Sequence, residues 1–145
     1  MNWEQTLFNL WHLGAAYLLA LPVALDRESA SRSAGLRTFP LVAIAACGYT
    51  LVGFAILDSS DAEARVLQGV ITGIGFIGGG AILKSGGSVS GTATAASIWT
   101  TGLIGIAVAA DRYEIATLLS AITFLTLPIG GSLKGKVKQS DSPDE

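Results

Sequence analysis

Five stretches of this chain carry no Asp, Glu, Lys or Arg, and each is long enough for a helix to cross a bilayer. They lie between Glu4 and Asp26, Arg37 and Asp58, Arg65 and Lys84, Lys84 and Asp111, and Glu114 and Lys134. A membrane helix needs about 20 mostly apolar residues, within a range of about 17–25. The pattern predicts helices over residues 5–25, 38–57, 65–84, 92–110 and 114–132. A water-soluble bundle would need polar residues at helical spacing along each run, and these runs have none. The expectation is an all-α integral membrane bundle of five transmembrane helices. Residues 1–132 form the transmembrane domain in this reading, and residues 133–145 a short polar cytoplasmic tail.

Charge sets the remaining bounds. Only 14% of the 145 residues are charged, against about 25% in ordinary soluble domains. The net charge of -2 gives no electrostatic reason to expect a nucleic-acid partner. The single cysteine, Cys47, lies in an apolar run, allows no intrachain disulfide and reads as a small packing residue. A cleaved leader would need a basic start. "MNWEQTLFNLW" has no Lys or Arg and carries Glu4, so the first span is expected to be retained.

Orientation follows from the basic residues. With five spans, the 26–37 loop, the turn after Lys84 and the C-terminal tail share one side. That side holds Arg27, Arg32, Arg37, Lys84, Lys134, Lys136 and Lys138, and the other holds only Arg65 and Arg112. The excess predicts the N-terminus outside and the C-terminus in the cytoplasm. Trp3, Trp11 and Tyr113 fit interfacial anchors. His12 reads as one more interfacial polar group, with no partner nameable from the sequence.

Glycine is the next signal. "GVITGIGFIGGGAILK" places Gly69, Gly73, Gly75, Gly78, Gly79 and Gly80 in one apolar helix. Glycine weakens a helix in water by about 1 kcal/mol relative to alanine, but in lipid small residues let helix backbones approach. At 100° per residue, Gly69, Gly73 and Gly80 make one stripe, and Gly75 with Gly79 lies roughly opposite. A helix approachable from two sides suits a central position. Packing within one chain is the plainer expectation for both stripes, and a homo-oligomer, most simply a dimer, is the further one. The fourth helix places Thr94, Ser97 and Thr101 on one face, beside a small-residue stripe of Ala95, Gly102, Gly105 and Ala109. Such hydroxyls usually bond the carbonyl four residues back or a neighbouring helix. Trp99 is expected to find an acceptor for its indole N–H, with a threonine nearby.

The densest charge chemistry lies between the first two helices, in "ALDRESASRSAGLRTFPLV". Asp26, Arg27 and Glu28 close one apolar run, and Arg37 and Thr38 open the next. Arg37 opposes the positive end of the helix dipole, so it is expected to pair with Glu28 or Asp26. Ser33 or Thr38 is expected to cap the helix, with Pro40 in its first turn. Such a cluster suits binding of a cation or an anionic headgroup.

Taken together, "DRE", "AGLRT", "RVLQGVITGIGFIGGGAILK" and "GTATAASIWTTGLIGIAVAADRYEIA" resemble, in order, the motifs of the MgtC/SapB family of bacterial inner-membrane proteins. The resemblance covers about residues 6–128 and is to the family's membrane domain, without the ferredoxin-like cytoplasmic domain that some members carry. Its pattern falls on Arg27, Glu28, Ala34, Gly35, Leu36, Arg37, Thr38 and Arg65. It continues on Gly73, Gly75, Phe76, Gly78, Gly80, Gly91, Thr94, Ala95, Ala96 and Trp99. Asp26, Gly79, Thr92 and Ala93 depart from it mildly. The resemblance implies a multi-pass protein of the bacterial inner membrane. It links the chain to growth in low magnesium, to virulence inside macrophages and to effects on ATP synthase and membrane potential.

Two functions are therefore expected to compete. One is a regulator of magnesium homeostasis or membrane energetics that touches a larger membrane partner such as ATP synthase. The alternative is a cation transporter or channel, with Mg2+ as one candidate ion. A Mg2+ path would want carboxylate oxygens, and no Asp or Glu lies within any span, which favours the regulator. An enzyme is not expected, because no Ser/His, Cys/His or carboxylate pair is apparent. No cofactor is expected, and the metal ligands of any ion site stay unassigned.

Overall fold

The computed structural model describes residues 2–30, 34–85 and 88–140, with Ser85 and residues 130–140 described by backbone alone. Among the described residues there are five helices: α1 (Trp3–Ala30), α2 (Thr38–Ile56), α3 (Ser60–Gly80), α4 (Thr92–Ala109) and α5 (Tyr113–Ser140). Between α3 and α4 a short antiparallel ribbon pairs β1 (Leu83–Ser85) with β2 (Ser88–Ser90), with Lys84 opposite Val89. The regular structure of the described residues is thus helical except for this ribbon, which the apolar pattern does not predict.

Local chemistry explains the helix ends. α3 starts at Ser60 rather than at residue 65 because the Ser59 hydroxyl accepts the Ala62 N–H, supplying the cap that its first turn lacks. Asp61 and Glu63 then place negative charge at the positive helix end. α3 stops at Gly80, short of the expected residue 84, after three consecutive glycines. Gly91, at φ 82°, starts α4 from the left-handed region that glycine tolerates, and a side chain there would strike the Ala81 carbonyl. α5 runs on to Ser140, beyond the expected residue 132.

The bundle is packed with small residues inside and large ones outside. Ala16, Ala20, Ala24, Ala43, Ala46, Ala107, Ala109 and Ala116 are buried, whereas Phe76, Ile56, Trp99, Leu41, Leu118 and Leu125 are exposed. Water would drive the opposite arrangement, whereas lipid lets small residues bring backbones together and takes the large ones. α1, α2 and α4 are each long and apolar enough to cross a membrane. α3 does not meet that test as a whole, since Asp61, Glu63 and Arg65 occupy its first turns, while its residues 66–80 carry no charge.

The helix at the centre is α4, not α3. α4 packs against α1, α2, α3 and α5, whereas α3 lies beside α2 and α4. The small stripe on α4 makes this possible. A side chain at Gly105 would strike the Ala43 carbonyl of α2, and one at Gly102 would strike Ile74 of α3. Phe39, Ile98 and Val23 fill one end of the core, and Cys47, Ile104 and Val108 fill the other. Cys47 is buried and unpaired, as a packing residue would be.

Candidate functional site

At the end of the bundle where α1 hands over to α2, charge is drawn inward. Arg27 Nε donates to Asp26 Oδ2 at 2.8 Å, and the same oxygen accepts from Arg27 Nη2. The two side chains are only 10% and 16% exposed. A guanidinium so enclosed needs a countercharge, and its own neighbour on the helix supplies it.

Glu28 works differently. Its Oε2 accepts the Leu36 backbone N–H at 2.8 Å, which places a carboxylate just ahead of the N-terminus of α2. There it satisfies a main-chain donor and meets the positive end of the helix dipole. The approach requires Gly35, because a Cβ at that position would collide with Glu28 Oε2 and crowd its Cα.

These contacts correct the expected pairing. Arg37 occupies the N-cap position of α2, makes no side-chain cap and is exposed. Among the described residues it forms no ion pair with Glu28 or Asp26. The reason is geometric: Asp26 is engaged by Arg27, and Glu28 by the backbone. Thr38 opens α2 half-buried but does not cap it, and Ser33 lies outside the described residues. Pro40 sits in the first turn, as expected. Lys84 stands exposed on the ribbon.

The glycines of α3 divide unequally. Gly78 lies against α4, where a Cβ would come within 3.1 Å of the Ala95 carbonyl. At Gly69, Gly73, Gly75, Gly79 and Gly80 a Cβ would meet nothing within 4 Å among the described residues. Within one chain, then, neither predicted stripe is a helix contact. Gly69 and Gly73 instead line an open apolar groove of about 550 Å³ between α2 and α3, with Ala45, Tyr49, Val70 and Ile77.

On α4, Thr94, Ser97 and Thr101 are all buried. Ser97 Oγ donates to the Ala93 carbonyl at 2.8 Å, the expected back-bond. Thr101 Oγ1 has no hydrogen-bond partner among the described residues. Trp99 departs from expectation. It faces outward at 56% exposure and makes no hydrogen bond among the described residues.

Among the described residues, two polar contacts join elements far apart in the sequence: the Ser120 hydroxyl of α5 donates to the Leu19 carbonyl of α1 at 2.7 Å, and the second involves His12. The His12 ring is 3% exposed and meets Asp111 of the α4–α5 turn at 2.9 Å. The two residues are 99 positions apart, and no local spacing links them. The only available signal was the pairing of a lone histidine in an apolar run with an acid at the same end of the bundle.

Small residues inside, large apolar residues outside and a charged corner at one end define a helical membrane protein. The chain belongs to the MgtC family, whose sequence profile matches residues 13–136. It is 38% identical over 107 residues to Protein MgtC of Brucella abortus (strain 2308), covering 73% of this chain and 44% of that protein. To the putative magnesium transporter YhiD of Escherichia coli (strain K12) it is 34% identical over 114 residues, covering 74% and 53%. Protein SrpB of Synechococcus elongatus is 34% identical over 125 residues, covering 77% and 69%. The chain spans about half the length of most of the curated relatives it matches. No solved structure matches it.

Proposed function

We propose that this chain is a magnesium-related membrane regulator with five spans, an outside N-terminus and a cytoplasmic C-terminus, set in a bacterial inner membrane. It acts by helix contact with a second copy or with a larger membrane protein such as ATP synthase. The observation that supports contact is the set of α3 glycines that no other helix of the chain covers. Among the described residues, five of them have no neighbour within 4 Å of a Cβ position: Gly69 and Gly73 line the groove beside α2, and Gly75 and Gly79 share another side. A glycine-rich face left open at the edge of a bundle accepts another helix at short range.

Ion transport is the second reading, favoured by one buried feature. Thr101 Oγ1 lies buried on α4 with no hydrogen-bond partner among the described residues, on the same face as Ser97 and Thr94, and the Escherichia coli relative is named a putative magnesium transporter. Proteoliposomes holding only this chain separate the two. The regulator reading expects Mg2+ entry no faster than in empty vesicles. It also expects Gly73→Leu, made at normal membrane level, to fail in restoring low-magnesium growth to a strain lacking its MgtC-family protein. Mg2+ uptake by the purified chain that Thr101→Val reduces would overturn the regulator and support transport.

A further inference from the structure

His12 is enclosed by the rings of Phe8, with centroids 4.0 Å apart, and Tyr113, at 5.8 Å. Its Nδ1 lies 2.8 Å from the Phe8 carbonyl oxygen, and its Nε2 lies 2.9 Å from Asp111 Oδ1. A carbonyl only accepts, and an ionised carboxylate only accepts. Both contacts are therefore hydrogen bonds together only when the ring carries a proton on each nitrogen. Neutral imidazole has one N–H, so a ring that loses a proton keeps one contact and turns a lone pair toward the other acceptor.

The carboxylate is placed to serve this purpose. Asp111 sits at φ 58°, the single non-glycine residue with positive φ among those described, in a turn held by Asp111 N–H to Val108 and Arg112 N–H to Ala107. Its side chain is 66% exposed, so it reaches water while holding a ring that does not. The other titratable groups facing this corner are few. Arg112 turns away to Glu114, α5 contributes Tyr113, and α2 contributes Cys47, which lies in the core cluster against which Leu13 and Tyr113 pack.

We propose that His12 is a proton-binding site, and that the bound proton latches α1 to the α4–α5 turn. Protons from the water at that end reach the ring through exposed Asp111. Binding makes the Nε2–H bond to Asp111 a charge-assisted one between α1 and the turn and completes the Nδ1–H bond to Phe8 within α1, and release leaves at most a neutral bond across. The latch rests on this geometry alone and stands whether the protein regulates or transports.

The chain has one histidine, so imidazole 15N spectra of the full protein in lipid nanodiscs report this site without assignment. At the acid end of the pH range over which the protein stays folded both ring nitrogens are expected to carry protons, and at the alkaline end only one. At the pH where the wild-type ring is half doubly protonated, Asp111→Asn is expected to lower the ratio of doubly to singly protonated ring at least threefold. Thermal unfolding gives the latch itself. The sign follows from the geometry: the doubly protonated ring makes both bonds, so the wild-type midpoint falls as pH rises through that titration. In His12→Gln and Asp111→Asn the midpoint should stay flat across it. Asp111 is exposed on a turn, so its variant carries the test if His12→Gln does not insert. A wild-type ring that nowhere in that range carries two protons, or the same pH slope in wild type and Asp111→Asn, overturns the proposal.

Discussion

At Gly35 even a methyl group would displace the Glu28 carboxylate from the Leu36 N–H. Gly35→Ala is therefore expected to uncap α2 and lower stability by about 1–2 kcal/mol, the usual cost of a lost cap or an orphaned donor. Thermal unfolding in detergent measures it. Arg37→Lys is expected to change stability by less than about 0.5 kcal/mol, as exposed substitutions do, because Arg37 holds neither carboxylate. The crowding of Asp26, Arg27, Glu28 and Arg37 at a membrane edge was legible, since charge runs are read directly. Their partners were not. Spacing brings Arg37 near Glu28, but a glycine two residues earlier lets the carboxylate reach the backbone instead. His12 was further from reach, because its partner arrives only when the α4–α5 turn folds beside α1.

On the scale of helices, the two glycine-rich segments divide the labour unevenly. Gly105 of α4 faces the Ala43 carbonyl and the Cys47 amide of α2, whereas Gly79 of α3 faces open space. Gly105→Ala should push α2 from α4 and reduce folded protein in membranes severalfold. Gly79→Ala should leave the single chain as stable as before, or more so, because alanine is the better helix former. Thermal unfolding of both variants at one detergent concentration compares them. Apolar runs told where helices lie, since lipid demands length and little else. They did not tell which helix is central, because both α3 and α4 carry small stripes. That choice depends on the neighbours, and Ile74, which fills the space over Gly102, belongs to another helix. The ribbon stayed hidden for a related reason: its pairing rests on three residues a side, too few for alternation to register.

Across the whole molecule, the surplus of Lys and Arg at one end of the bundle makes orientation testable. A reporter active only in the cytoplasm, fused after Glu145, is expected to be active, and one active only outside to be silent. The reverse result would reject the five-span, cytoplasmic C-terminus reading. The class of protein was legible here because a bilayer imposes one length on every span. The lengths are nonetheless unequal. α2 and α4, of 19 and 18 residues, are about 27–29 Å long, close to the ~30 Å hydrocarbon core. α1 and α5, of 28 residues each, reach about 42 Å. The His12–Asp111 contact fixes how the excess of α1 is spent. His12 lies level with the α4–α5 turn, so the helical residues before it, with exposed Trp3, Leu7, Leu10 and Trp11, overhang by about 13 Å. α5 begins at that same turn and overhangs at the opposite end. The molecule is thus a short plug with one oversized pin at each face. A thicker bilayer can climb the pins without stretching the plug, and a thinner one must tilt them, so membrane thickness becomes a mechanical input to the angle of α1.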